Sequence, residues 1–480
     1  MYTRCTRGTA RSCAGAKAHD REGTAEHHRC GAASRRAREA GWGVSRLRNQ
    51  KTPTPIIKIR EVIKGINFDA LSGRMPKAVL KRIVSCMEGV SDGRVKGMID
   101  YPLPYILLLA FLAVLSGAGG WTDMQDFSEA YKKKLNGILP QYKSLAVPSH
   151  DTFRRVFGII APEDLQRATA EFLLQEICQM KRALGIEDKG MRHLGLDGKE
   201  QNGTGRKYGT DQKVANLQTL HCYDITNGIC LHSVPIDSKT NEIPVAQGLL
   251  KSMCLKNCVV TFDSMNTQRD TVAIIVRGGG HYVGGLKGNQ QLMHEEVALL
   301  FSDEELGIIK KNGKYFRSYV EKAHNRVEKR SYYMTTDVSW FADLHLWAGL
   351  KAFVCYDIET EDLVSGKTTK ERRYYIASVT DIEMCADAIR AHWSIENQLH
   401  WHLDVTFSED DNTTMDKNAF NNLSVMNKMV LSLLKLIQPA HNAGLQRIRK
   451  KFGWSLVENL TLLLNLLDEK QIEQALLGSK

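Results

Sequence analysis

The chain has 480 residues, 43% hydrophobic and 25% charged, which excludes a fibrous or wholly disordered protein and leaves room for roughly two to four folded units. Its formal charge of +11 is concentrated at one end: residues 1–60 hold 14 Lys and Arg against 4 Asp and Glu, and the other 420 hold 51 against 50. A nearly neutral body excludes a general polycation, so any binding of nucleic acid has to rest on local patches.

Residues 1–65 are rich in Arg, Ala, Gly and Ser and have no hydrophobic period, so disorder is expected there. Two readings of this basic extension stand. It is an arm that grips phosphates, or it is translated from a start codon upstream of the natural one. The abrupt onset of a folded pattern near Phe68, with Met75 as an alternative start, favours the second. The N-terminus lacks an apolar h-region, so no secretory signal is readable. The 11 cysteines are scattered singly with no CxxC, which argues against a zinc module or disulfide framework and for reduced, mostly buried thiols in a cytoplasm.

From Pro76 to Leu184 apolar residues recur at three and four, predicting helices at Ala78–Met87, Leu103–Leu115, Met124–Leu135, Pro148–Phe157 and Pro162–Leu184. The most apolar run, Tyr105–Leu115, falls short of the roughly 18 to 20 residues needed to span a bilayer and reads as a buried helix. Ser149 or Asp151 can cap the PSHDTFRRVF helix. Its Arg154 and Arg155 suit either a DNA-reading helix or a solvated pair.

After Gly185 the period changes. HLGLDGK (His193–Lys199) reads as a strand ending near Asp197; Asn216–Asp224 and Ile229–Ile236 read as a hairpin turning at Asn227-Gly228. A helix follows from Glu242 or Pro244, then a strand to Asp263, a helix over Thr267–Arg277 and a strand over His281–Gly288. Three antiparallel strands followed by parallel ones reached through helices is the order of a ribonuclease H-like α/β core. In that order the strands carrying Asp197 and Asp263 are neighbours.

Between Gln290 and Tyr374 the chain reads as helix and then β-rich, with aromatics alternating with Lys and Arg in Phe316–Thr336, Lys351–Thr360 and Lys370–Val379. That pattern suits a strand surface facing phosphates, and equally a half-buried sheet with an ordinary polar face. Helix returns over Asp381–Leu403. Within it RAHWSIENQLHWHLD (Arg390–Asp404) sets Glu396 on one face with His392, Trp393, Leu399, His400 and Leu403. Helices at Asn421–Ile437, Gln446–Lys451 and Leu456–Leu467 close the chain.

Three carboxylates from two strand ends and a helix suit two hard divalent cations, which prefer oxygen ligands. Such a pair, about 4 Å apart, activates the attacking oxygen and stabilises the leaving one in displacement at phosphorus. Without metal the carboxylates would raise one another's pKa values. SGKTT (Ser365–Thr369) and DGKEQNGTGRK (Asp197–Lys207) lack the full phosphate-loop pattern, so an ATPase is not supported. His392, His400 and His402 lack an HExxH frame, which weakens a zinc reading and leaves them as core residues or supports of the carboxylates.

LDGK at Leu196, KTNEIP at Lys239, TFDSMNTQ at Thr261, YVGGLKGNQ at Tyr282, HNRVEKR at His324, YYIASV at Tyr374 and HWSIENQLHWHLDVTFSED at His392 resemble, in order, the DDE-class transposases of bacterial insertion sequences. The likeness is to the ISAs-type branch and runs from about Phe68 to Leu467; SDGRVKGMIDYPLPYILLLAFLAVLSG and PSHDTFRRVF resemble that branch's N-terminal associated domain. The resemblance implies that Asp197, Asp263 and Glu396 are the catalytic, metal-binding triad, served by two Mg²⁺ or Mn²⁺ ions. It implies binding of terminal inverted repeats, cleavage at the element ends and joining of 3′ ends to target DNA, by a homodimer or higher multimer on DNA at the bacterial nucleoid. Lys199, Arg206, Lys207, Lys287, Arg326, Arg330, Arg390 and Asn397 are the candidate DNA contacts. Where the wider group often carries Tyr, Arg and Lys around its Glu, this chain has Ile389, His392 and Leu403. A catalytically inactive DNA-binding derivative and a stand-alone metal-dependent nuclease are the alternative functions. The expected organisation is a basic extension (1–65), a helical transposase-associated domain (66–185), the first part of the core (186–290), a β-rich insertion (291–373), the closing part of the core (374–415) and a helical C-terminal region (416–480).

Overall fold

The computed structural model describes residues 59, 63, 64, 71 and 73–477, without 189, 209–211, 237–240 and 324. The basic extension expected over 1–65 therefore lies almost wholly outside the described residues.

The helical region contains α1 (Lys77–Glu88), α2 (Leu103–Leu115), α3 (Trp121–Ala130), α4 (Lys132–Ile138), α5 (His150–Ile159) and α6 (Pro162–Ala183). Apolar all round, α2 is buried at every position but Pro104, as a helix without a polar face must be. The single helix expected over 124–135 is two. Tyr131 leaves helical geometry between them, its ring stacked on Phe127 at 4.8 Å and its hydroxyl donating to the Gly453 carbonyl. Ser149 rather than Asp151 caps α5, its Oγ accepting from the Thr152 N–H at 3.3 Å.

The sheet is formed by β1 (Arg192–Gln201), β4 (Leu217–Asp224), β5 (Ile229–Ile236), β6 (Cys258–Phe262), β7 (His281–Leu286), β8 (Phe316–Ala323), β9 (Arg326–Thr335), β10 (Ala352–Asp362) and β11 (Thr368–Ala377). The short β2 (Arg206–Tyr208) and β3 (Gln212–Val214) pair separately. Strand order is β5-β4-β1-β6-β7-β11-β10-β9-β8. β4 lies antiparallel to both β1 and β5, and β1, β6 and β7 run parallel. The parallel crossovers pass through α7 (Glu242–Ser252) and α8 (Arg269–Arg277).

The β-rich segment after α9 (Gln291–Leu300) and α10 (Asp303–Asn312) is continuous with this sheet. Tyr374–Ala377 of β11 pairs antiparallel with Val283–Leu286 of β7. One long strand thus serves both the segment expected as an insertion and the core. Of the described residues, Val320–Lys329 and Glu359–Thr369 form a compact unit of their own, and the rest form the other.

The chain then runs through α11 (Ile382–His392), a π-helical turn (Glu396–His400) and α12 (Trp401–Val405), and ends in α13 (Lys417–His441), α14 (Leu445–Trp454), α15 (Leu456–Asn465) and α16 (Glu469–Leu477). Asp416 caps α13, which is buried without interruption from Ala419 to Ile437. Such a helix has to satisfy its polar side chains internally. Asn422 donates to the Phe157 and Ile160 carbonyls at 2.8 and 2.9 Å, Lys428 to the Ser233 hydroxyl at 2.7 Å, and Lys435 to the Tyr223 hydroxyl at 3.0 Å and the Gln398 carbonyl at 2.6 Å. That last bond ties α13 to the π-helical turn. Among the described residues eight cysteines are free thiols, five of them buried, and no helix is long and apolar enough to cross a membrane.

Candidate metal centre

Two neighbouring parallel strands bring the aspartates together. Leu196 of β1 pairs with Phe262 of β6, and each is followed by an aspartate, Asp197 and Asp263. The two therefore lie at the same level of neighbouring strands, Asp263 just past the end of β6 and Asp197 inside β1, which stays paired with β4 as far as Gln201 and does not end near Asp197 as expected. Asp263 is held by its own turn: the Asn266 backbone N–H donates to Oδ1 at 3.1 Å, and the Thr267 hydroxyl donates to the Asp263 carbonyl at 3.1 Å and the Gly285 carbonyl at 2.6 Å.

Glu396 comes from the π-helical turn, a widening common at functional sites because it shifts side-chain register within a helix. Ile395, fully buried, packs against Gly195 two residues before Asp197; a Cβ on Gly195 would overlap Ile395 Cδ1. This close approach seats the turn on β1. His392 adds a bond from its Nδ1 to the Thr261 hydroxyl on β6 at 3.1 Å. Glu396 itself projects outward, its side chain 60% exposed.

His400, one π-turn on, joins the groups. Its Nδ1 lies 3.2 Å from Glu396 Oε2 and 3.7 Å from Asp197 Oδ2, and one ligand atom from each of the three residues lies within 4.8 Å of the others. Its Nε2 is 3.0 Å from Nδ1 of His221, which stands opposite Asp197 on β4. Burial is the main reason both rings are neutral: His400 is pushed down to about 3, also by Lys199 and Lys428, and His221 well below its usual range. The contact with Glu396 is therefore a hydrogen bond or a lone pair facing a carboxylate, not an ion pair. Two tautomer sets satisfy the His221–His400 bond. One donates His400 Nδ1–H to the carboxylates; the other turns that lone pair toward them as a further donor atom for a cation.

Asp197 is pushed up to about 7, first by burial and then by the negative charges of Asp263, Glu242 and Glu396. This is the mutual repulsion expected of clustered carboxylates without metal. Burial likewise raises Glu242 from its ordinary value, with the Asn266 bond opposing this and Asp263 adding to it. Oxygen donors near enough to add to the burial that raises Asp197 fit a hard divalent cation, whose positive charge would relieve the repulsion.

The candidate DNA contacts differ in exposure. Lys199 is turned inward, its side chain 6% exposed and bonded to Asp404 at 2.6 Å and Asp410 at 3.4 Å, where it ties β1 to the segment following Glu396. Arg330 is buried and Arg390 half-buried, whereas Lys287, Arg326 and Asn397 are exposed. The side chains of Arg206 and Lys207 lie outside the described residues. Exposed aromatics flank Glu396: Trp393, with the Arg373 guanidinium 4.7 Å from its ring centre, and Trp401. Sequence reasoning did not place Glu242 or His221 at the site, and it read His400 as a core residue or a support of the carboxylates. The available signal for Glu242 was its position in KTNEIP.

Comparison with known proteins yields two family models: "DDE_Tnp_1-associated" over residues 84–173 and "Transposase DDE domain" over residues 188–433. The chain is similar to the "H repeat-associated putative transposase YhhI" of Escherichia coli strain K12, 29% identical over 381 residues, which cover 78% of this chain and 95% of that protein. It is also similar to the "Inactive transposase YbfQ" of the same strain, 37% identical over 79 residues, 16% of this chain and 89% of that one. Among solved structures, a piggyBac transposase synaptic complex with hairpin DNA aligns over 82% of this chain and 80% of that chain, with a TM-score of 0.36 and 11% identity.

Proposed function

This chain belongs to the transposase DDE domain family, and on that premise we propose that it binds the terminal inverted repeats of an insertion sequence, cleaves DNA at the element ends and joins the 3′ ends to target DNA, with Asp197, Asp263 and Glu396 as its catalytic carboxylates. The observation that carries this reading is that Asp197, inside β1, lies level with Asp263, just past the paired parallel strand β6, and beside Glu396 on a π-helical turn, near enough for both carboxylates to raise Asp197. The strand order supports a ribonuclease H-like core whose last strand, β11, continues into the β-rich segment.

Asp197, Asp263 and Glu396 would hold the divalent cations, Mg²⁺ or Mn²⁺. Two such ions supply positive charge to the attacking and leaving oxygens of an in-line displacement at phosphorus. The residues of the chain set the geometry. Asp197 is fixed by β1 and Asp263 by the turn that follows β6, and Glu396 is aimed by Ile395 against Gly195 and by the His400–His221 pair. Trp393 and Trp401 offer exposed faces on which unpaired bases can stack, and Lys287 an exposed cation for phosphate. The helical region over 66–185 serves end recognition, and a homodimer or larger multimer on DNA brings two ends together at the bacterial nucleoid.

The test is incubation of the purified chain with Mg²⁺ and DNA carrying the ends that flank its gene. Nicks at the element ends and joined products are expected. End-specific binding without cleavage would instead favour an inactive DNA-binding derivative, and cleavage without end specificity a stand-alone nuclease.

A further inference from the structure

We propose that Glu242 is a fourth carboxylate of the cation site, an oxygen donor to the divalent cation held between Asp197 and Asp263; this rests on the reading of those two residues given above. Glu242 opens α7, where Asn241 caps the helix by accepting from the Ile243 N–H at 3.1 Å. An acidic residue in a first helical turn gains from the helix dipole while pointing into solvent. Glu242 instead turns inward, and three features of its surroundings point to a bound cation.

The first is Gly198, the residue after Asp197. Glu242 Oε2 occupies the space that a Cβ at position 198 would take, and its carboxyl carbon lies 3.0 Å from that point. The glycine of LDGK therefore admits the carboxylate of KTNEIP to the edge of β1, beside Asp197. The second is Asn266, whose carboxamide nitrogen donates to Glu242 Oε1 at 2.6 Å and to Asp263 Oδ1 at 3.3 Å. One amide thus sets the spacing of two carboxylates. Asn266 is fully buried, and its Oδ1 has no hydrogen-bond partner among the described residues. A buried carbonyl oxygen left unpaired, on an amide whose nitrogen holds two carboxylates, is suited to one of the waters of a bound cation.

The third is the missing counter-charge. Asp197, Asp263 and Glu242 act on one another electrostatically, yet among the described residues no Lys or Arg forms an ion pair with any of them. Half-buried carboxylates drawn together are favoured in their ionised form by a positive charge between them. A cation between them supplies it, and the Asn266 clamp holds Glu242 within reach.

The experiment measures Mn²⁺ binding to the full chain by titration calorimetry and by the loss of the free-ion electron paramagnetic resonance signal, with no DNA and no turnover. Glu242→Gln keeps the acceptor for Asn266 and removes only the charge. It is expected to weaken Mn²⁺ binding by about 10–100-fold with an unchanged circular dichroism spectrum. Gly198→Ala, which leaves every carboxylate in place, is expected to weaken binding in the same direction because its methyl group displaces Glu242; it carries the test should Glu242→Gln fold poorly. Asp263→Asn is the reference. Wild-type affinity in both Glu242→Gln and Gly198→Ala, with binding lost in Asp263→Asn, would overturn the role of Glu242 alone. Wild-type affinity in all three would overturn the underlying cation-site reading as well.

Discussion

Replacing Asp197 with Asn is expected to stabilise the metal-free protein while abolishing its reaction. In the folded chain Asp197 is pushed up from 3.8 to about 7 by burial and by its carboxylate neighbours. A carboxyl whose folded pKa is raised binds its proton more tightly folded than unfolded, so stability is highest below about pH 4 and is lost as pH rises through 7. The full shift would correspond to about 4 kcal/mol. Because 31% of the side chain is exposed, screening reduces this to on the order of 2 kcal/mol. Asn carries no charge and escapes the loss. Differential scanning without metal, from pH 4.5 to 8.5, should show wild type falling relative to Asp197→Asn as pH rises, with the variant melting a few degrees higher at pH 8. Added Mn²⁺ should narrow the gap by stabilising wild type alone. A variant that melts at or below wild type at pH 8, or a gap that does not change with pH, would refute the reasoning.

Further substitutions separate positioning from charge. Gly195→Ala forces Cβ into Ile395 and should cost about 1–3 kcal/mol and reduce cleavage more than DNA binding, with the additional change Ile395→Ala restoring much of both; absence of rescue would count against this seating of the Glu396 turn. His221→Phe leaves His400 Nε2 without its partner, for a predicted loss of about 1–3 kcal/mol and a fall in cleavage of about 10–100-fold; cleavage at the wild-type rate would dismiss the histidine pair as an orienting device. Lys199→Met should lower stability by on the order of 2 kcal/mol, given that its partners are about a third exposed, without changing DNA affinity, read by melting and by filter binding. Lys287→Ala should do the reverse, and it should flatten the log–log salt dependence of binding by about 0.9 if that side chain neutralises one phosphate.

The nearness of Asp197 and Asp263 was legible because an apolar run leading to a carboxylate is a local pattern, and a parallel pairing of those strands then brings the two aspartates level; that β1 continues past Asp197 to Gln201 was not. The α2 boundaries were legible for the same reason: an uninterrupted apolar run has nowhere to go but the core. Less was visible where tertiary contacts decide. Tyr131 breaks a periodic helix through a bond to Gly453, more than 300 residues away. The π-helical turn at Glu396 has no compositional signal, since its widened geometry depends on support such as the Lys435 bond to the Gln398 carbonyl. Lys199 stands in a motif beside Asp197 and looks like a phosphate ligand on paper, but alternation along β1 turns it inward to Asp404 and Asp410. Glu242 entered only as one possible start of a helix, and its place beside Gly198 and Asn266 is set by tertiary contacts that the sequence does not display.

End cleavage and strand transfer by wild type and by Glu396→Gln, compared on the same flanking-end DNA with Mg²⁺, test the central claim most directly. The exposed position of Glu396 means that the amide should not disturb folding or DNA binding. Cleavage and joining are predicted to fall to background in the variant while its end-specific binding stays at the wild-type level. A variant that cleaves and joins as wild type does would contradict the assignment of Asp197, Asp263 and Glu396 as one site.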